Sequence, residues 1–195
     1  MLEGRIAGIR CRVSLLFPAL LAGLLLAQAD SLAVSCVLAS AMHEGGHLLA
    51  MLVLGCPPQA CTLGVFGMRI EMGNERMVGY RRNLLISFAG PTVNLLAAPL
   101  LWACGCERAA VVHLTLAVFN LLPAAALDGG QMLRCLFCLA GKETQADGWL
   151  RVLSAAVLLP LAALAFWLFL SGCGNVTLLI VSGYLTALIF LHPQN

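Results

Sequence analysis

The stretch Met42-His43-Glu44-Gly45-Gly46-His47 lies inside the apolar run Ser31–Leu54, whose other residues are Leu, Ala, Val, Ser, Cys and Met. A run of this length and composition predicts a helix. At about 1.5 Å rise per residue it is long enough to cross about 30 Å of hydrocarbon. Histidines at i and i+4 then lie one above the other on a single face. Two imidazoles so placed can share one zinc ion, and the carboxylate of Glu44 between them is free to act as a general base. An ionisable group at membrane depth costs about 2.5–3.5 kcal/mol on insertion scales, so it points to function rather than to packing.

The whole chain agrees with a membrane reading. Of its 195 residues 61% are hydrophobic and 10% charged, and the mean hydropathy is +0.95. Soluble domains carry about 25% charged residues. No segment is polar enough to form a second soluble domain, so one compact bundle is expected over 1–195. The formal charge of +2 comes from scattered basic residues and implies no nucleic-acid partner. Nine cysteines suggest a disulfide set, but Cys36, Cys135 and Cys138 fall in or beside apolar runs, where cysteine behaves as a small hydrophobe. Cys135 and Cys138 have metal or redox spacing without a second pair to match it. A disulfide among Cys104, Cys106 and Cys173 is left open.

Outward from the central run, residues 1–12 carry Arg5, Arg10 and Arg12 and precede an apolar run from Val13 to Ala29. This predicts a retained first span, with cleavage after Ala27-Gln28-Ala29 as the alternative. Ser31–Leu54 is the second span, stopped by Gly55-Cys56-Pro57-Pro58. From Thr62 to Met72 the pattern alternates, which predicts a short β-hairpin at the membrane surface. Gly73–Arg82 is the most polar stretch. Asn83–Ala103 is the third span and contains Phe88-Ala89-Gly90-Pro91-Thr92-Val93-Asn94, where proline should kink the helix. The fourth span runs from Ala109 to about Leu122. Gln131–Ala140 is too short to cross, so an interfacial or re-entrant helix is expected. Trp149–Leu170 and Asn175–Leu191 complete the set. The expected fold is therefore an all-α polytopic membrane protein with six transmembrane helices and a short membrane-associated β-hairpin after the second.

Basic residues set its orientation. With a cytoplasmic N-terminus, every arginine and lysine except Arg108 falls on the inner side, a clear positive-inside bias. Both termini are then expected in the cytoplasm.

Catalytic zinc takes three protein ligands and leaves one position open for water. The extended motif that would supply a third histidine is absent, because that position is Val53. Glu71 and Glu75 belong to the hairpin and the polar loop, His113 lies towards the outer side of the fourth span, and His192 stands at the C-terminal edge. Asp128 is the carboxylate directly at the end of an apolar span, between Pro123 and Gly129-Gly130, on the inner side. His43 lies about 18 Å along its helix from Ser31, so the two depths agree. His43, His47 and Asp128 are the expected metal ligands.

Three segments in this order carry a resemblance. His43-Glu44-Gly45-Gly46-His47, Phe88-Ala89-Gly90-Pro91-Thr92-Val93-Asn94 and Asn120-Leu121-Leu122-Pro123 through Leu127-Asp128-Gly129-Gly130 are similar to the three signatures of the site-2 protease family of intramembrane zinc metalloproteases. The likeness covers roughly residues 30–130 and is nearest to the compact bacterial type of stage IV sporulation protein FB. No PDZ-like insertion is expected after Arg108 or near Asp128, and no CBS domain is expected after the sixth span.

The resemblance implies a catalytic core over about 31–130, with accessory helices in 1–30 and 131–195, held in a bacterial inner membrane. It implies a zinc metalloendopeptidase that cuts transmembrane or membrane-tethered substrates near the cytoplasmic face, a transcription or sigma factor precursor among them. Glu44 would be the catalytic base. Asn94 and, as a second candidate, Asn120 would hydrogen-bond the substrate. An exposed strand edge at the hairpin could hold an extended substrate by β-augmentation. The partners expected are a membrane protein substrate, the lipid bilayer and a regulatory membrane protein, with oligomerisation left open. The rival readings are an ion or metal transporter and a catalytically silent membrane scaffold of the same fold.

Overall fold

The computed structural model describes residues 2–6, 9–13, 31–58, 60–64, 67–71, 79–171 and 183. Its elements are strands β1 (Leu2–Ile6), β2 (Ile9–Val13), β3 (Ala60–Gly64) and β4 (Gly67–Glu71) and helices α1 (Ser31–Val53), α2 (Tyr80–Ala103), α3 (Glu107–Asn120), α4 (Asp128–Leu139) and α5 (Glu143–Leu170). They fall into two compact units, Met1–Val118 and Phe119–Asn195.

Helices α1, α2 and α5 are long and apolar enough to cross a membrane. Large side chains such as Leu38, Leu52, Leu96, Leu100, Trp167 and Leu170 are exposed along them. In water that exposure would be costly, whereas lipid tails solvate it. This is a membrane protein. α1, α2 and α4 stop in the same way. Gly55, Gly105 and Gly141 take φ of 68°, 77° and 72°, and the next residue's N–H reaches back five residues, as in Cys56 to Met51 O at 2.8 Å. A left-handed residue is needed to turn the chain there, and glycine adopts it without a Cβ clash.

Two features correct the expected fold. First, three helices among the described residues, not six, have the length and apolarity of a span. α3 has 14 residues and covers about 21 Å, short of the hydrocarbon thickness. The first and sixth spans expected at 13–29 and 175–191 lie almost wholly outside the described residues. Second, the chain is not all-α with a lone hairpin. Strands β3 and β4 are half of a four-stranded sheet, in the order β1-β2-β3-β4. β1 and β2 pair antiparallel, with Leu2 opposite Val13 and Ile6 opposite Ile9, and β2 runs parallel to β3, with Val13 opposite Leu63. The physical reason lies in the residues counted only as basic. In Ile9-Arg10-Cys11-Arg12-Val13 apolar and charged residues alternate with the period of a strand.

In the first unit α1 lies against α2. Gly46 permits the approach, since a Cβ there would stand 2.8 Å from the Ala89 carbonyl oxygen and 2.9 Å from Val93 Cγ2. Small residues that let helix backbones approach are the usual device where lipid removes the hydrophobic drive between helices. α2 continues through Pro91 and Pro99. In the second unit α4 lies against α5, and Ala124, Leu127 and Leu158 form an apolar centre flanked by Phe119, Leu122 and Leu161.

Candidate metal centre

The spacing of His43 and His47 along α1 puts both rings on the face turned towards α2, where both are buried. Their Nε2 atoms stand 3.2 Å apart, and the ring planes cross at 84°. Two ligands bound at 2.0–2.1 Å in a tetrahedral zinc site would be about 3.3 Å apart. The pair thus already has the separation that one zinc ion requires. The outer nitrogens are turned to the protein. His47 Nδ1 donates to the Ile86 carbonyl oxygen at 2.7 Å, and His43 Nδ1 lies 3.2 Å from Asn94 Nδ2. A metal-binding histidine generally uses one nitrogen for the metal and fixes its ring through the other.

The Gly90-Pro91 segment of α2 makes room for this. An added Cβ at Gly90 would overlap His47, falling 2.5 Å from Cε1 and 2.9 Å from Cδ2 and closer still to Nε2. Pro91 and Asn94 are fully buried beside it. The resemblance implies a substrate contact at Asn94, and in the structure its amide has two partners inside the protein. One end meets His43, and Oδ1 lies 3.0 Å from Nδ1 of His113, itself buried on α3. From the sequence His113 is only a distant candidate for third ligand. Its clue is a histidine one turn into an apolar helix, which points to a polar partner but does not say which.

Glu44 is half-buried on α1, next to His43. In the second unit, Leu121 to Leu127 form a compact turn, and Asp128 is the first residue of α4, half-buried. Gly129 and Gly130 are buried against the carbonyls of Leu121 and Ala124, where a Cβ would collide with backbone. That is why the aspartate is followed by two glycines. The turn is also pinned by a residue the sequence does not single out. Ser154 of α5, fully buried, accepts from Ala125 N at 2.8 Å and donates to Leu150 O at 2.6 Å. Serine in an apolar helix is common enough that nothing in the sequence marks this one. Asn120 is the last residue of α3 and half-buried.

Of the other candidates, Glu71 ends β4, while Glu75 and His192 lie outside the described residues. Cys135 and Cys138 are free thiols. Burial, then the neighbouring Cys138, pushes the Cys135 thiol up, against the pull of Arg134. A metal or redox cysteine needs the opposite shift.

The comparisons with known proteins agree with this geometry. The whole chain superimposes on 95% of the site-2 protease from Methanocaldococcus jannaschii with a TM-score of 0.70, at 20% identity. It has the site-2 protease fold. Residues 106–163 match the model of peptidase family M50. Two relatives bear zinc metalloprotease names, each 28% identical. One, from Synechocystis sp., aligns with 67% of this chain and 41% of its own length; the other, Rip3 of Mycobacterium tuberculosis, aligns with 96% and 49%. The chain thus spans less than half of either relative. The resemblance to the site-2 proteases read from the three motifs is borne out.

Proposed function

We propose that this chain is a single membrane-embedded zinc metalloendopeptidase that hydrolyses peptide bonds of transmembrane or membrane-tethered substrates. The observation that carries the reading is the facing pair of Nε2 atoms of His43 and His47, 3.2 Å apart, each ring held from behind through Nδ1. His43, His47 and Asp128 each offer one ligand atom, two from buried imidazoles and one from a half-buried carboxylate, a group of the composition catalytic zinc takes. Its relatives' names and the fold of the Methanocaldococcus jannaschii enzyme support the same chemistry.

When bound, zinc supplies a water of lowered pKa and polarises the scissile carbonyl. The rest falls to the chain. Glu44 takes the proton of the attacking water and passes it to the leaving amine. Asn120, ending α3, is the side chain we assign to the substrate backbone, where a donor stabilises developing charge. A helical substrate must be extended before it can be cut. Among the described residues β4 is an edge of the sheet, and an extended segment can pair with it by β-augmentation. We place the cut near the cytoplasmic face of a bacterial inner membrane, with the sheet that carries Arg5, Arg10, Arg12 and Arg69 on the inner side, where basic residues gather. Membrane-tethered transcription or sigma factor precursors are substrates of the right kind, and a membrane partner would supply regulation.

The test is Glu44→Gln. This variant should keep its zinc, read by metal analysis of the purified protein, and lose cleavage. Undiminished cleavage would sink the protease reading. A wild-type protein that binds no zinc would favour the transporter or scaffold instead.

A further inference from the structure

We propose that Asn94 is a positioning residue for His43 and that His113 acts through it, the three forming a buried relay whose hydrogen-bond direction must be set for the metal to bind. The inference rests on the zinc reading and concerns residues that neither the family match nor the relatives' names assign.

A neutral imidazole has one N–H and one lone pair. For both Nε2 atoms to face one metal, both rings must carry their hydrogen on Nδ1. For His47 that hydrogen is accounted for by the Ile86 carbonyl at 2.7 Å, which can only accept. At His43 the corresponding nitrogen meets the Asn94 amide at 3.2 Å, and an amide can offer either an acceptor or a donor. The far end of that amide meets His113 Nδ1 at 3.0 Å.

The same positions of His43, His47, Asn94 and His113 therefore support two hydrogen-bond directions along these three contacts. In one, His113 Nδ1–H donates to Asn94 Oδ1, Asn94 Nδ2 donates to His43 Nδ1, and His43 Nε2–H donates to His47 Nε2 at 3.2 Å. That arrangement uses up the lone pairs a metal needs. In the other, the amide is turned by half a revolution. His43 Nδ1–H donates to Oδ1, Nδ2 donates to the lone pair of His113 Nδ1, and both Nε2 lone pairs point at the metal position. Only the second admits zinc. Burial makes the choice consequential, since Asn94 is 0% and His113 3% exposed and water does not readily complete a broken relay. Loss of such an outer partner typically costs about 10–100-fold in metal affinity.

The experiment is zinc competition against a chelator, run on purified full-length protein with cleavage and thermal unfolding measured on the same samples. Asn94→Leu should lower zinc affinity by about 10–100-fold. Asn94→Asp should restore it, because a carboxylate accepts from His43 Nδ1–H as the turned amide does. His113→Phe should lose less, and adding it to Asn94→Leu should lose nothing further, because His113 reaches His43 through the amide. Nitrogen-15 spectra of the wild type should show His113 Nδ1 passing from protonated to lone-pair character on zinc addition. The proposal is overturned if Asn94→Leu keeps wild-type zinc affinity and loses only cleavage, which would make Asn94 a substrate contact. It is equally overturned if Asn94→Asp folds yet binds zinc as poorly as Asn94→Leu, or if His113 stays protonated at Nδ1 with zinc present. A wild-type protein that holds no zinc would instead remove the metalloprotease reading itself.

Discussion

Replacing Gly90 by alanine puts one methyl group where the His47 ring now lies, and the surrounding atoms set its cost. The new Cβ would sit 2.5 Å from Cε1 and 2.9 Å from Cδ2, far inside van der Waals contact. The ring cannot yield freely, because its Nδ1 is tied to Ile86 O at 2.7 Å and Pro91 is buried alongside. Overfilling a packed interior costs about 1–3 kcal/mol. Moving a ligand ring off its position should cost zinc affinity by about 10–100-fold, as for the loss of an outer-shell partner. Gly45, on α1 between the two histidines, is the matched control, since a Cβ there meets nothing within 4 Å. Glycine-to-alanine in a helix interior gains about 0.8–1.0 kcal/mol of propensity, so Gly45→Ala should unfold at a slightly higher temperature. Thermal unfolding and chelator competition on both variants decide the matter. If Gly90→Ala matches the wild type in zinc affinity, or Gly45→Ala is damaged equally, the α1–α2 contact is not what shapes the site.

Asp128→Ala should purify with its fold intact and without zinc by metal analysis; full occupancy would remove the aspartate from the ligand set. Ser154→Ala leaves Ala125 N–H without its 2.8 Å acceptor. It should cost about 1–3 kcal/mol in thermal unfolding and weaken zinc binding through the Asp128 turn; an unchanged midpoint would show that the turn holds itself. In alkylation followed by mass spectrometry, exposed Cys104 and Cys106 should label quickly and Cys135 slowly. Burial raises the Cys135 thiol, so less thiolate is present at any given pH, and its labelling should rise only at higher pH.

Much of the fold and the site is readable from residues because the determinants are local. The Ser31–Leu54 run becomes α1, its end drawn by Gly55, and the i and i+4 histidines meet because a helix offers no other arrangement. The short apolar piece after Asp128 becomes α4, with Gly129 and Gly130 where backbone crowds. What is not readable depends on pairing across distance. Residues 9–13 alternate like a strand, yet five residues cannot announce that they will lie parallel to 60–63. Arg10 and Arg12 therefore count as topology signals in the sequence and show themselves as strand positions only in the fold. The partners of Asn94 and His113 are hidden for the same reason, since a polar residue in an apolar helix shows that it has a partner without naming it. Ser154 is the extreme case, one hydroxyl whose role exists only in three dimensions.

We propose above that this chain cuts peptide bonds within a membrane by zinc-dependent hydrolysis under Glu44. The most direct test is to reconstitute wild-type protein and Glu44→Gln in vesicles with a single-span substrate in heavy-oxygen water. Products are read by mass spectrometry, before and after zinc removal and return. The expected result is a cut inside or at the edge of the span, with one heavy oxygen at the new carboxyl terminus. The cut should be lost on chelation and return with zinc, and Glu44→Gln should make no cut at full zinc occupancy. Cleavage that survives chelation, or that Glu44→Gln still performs, would contradict the proposal.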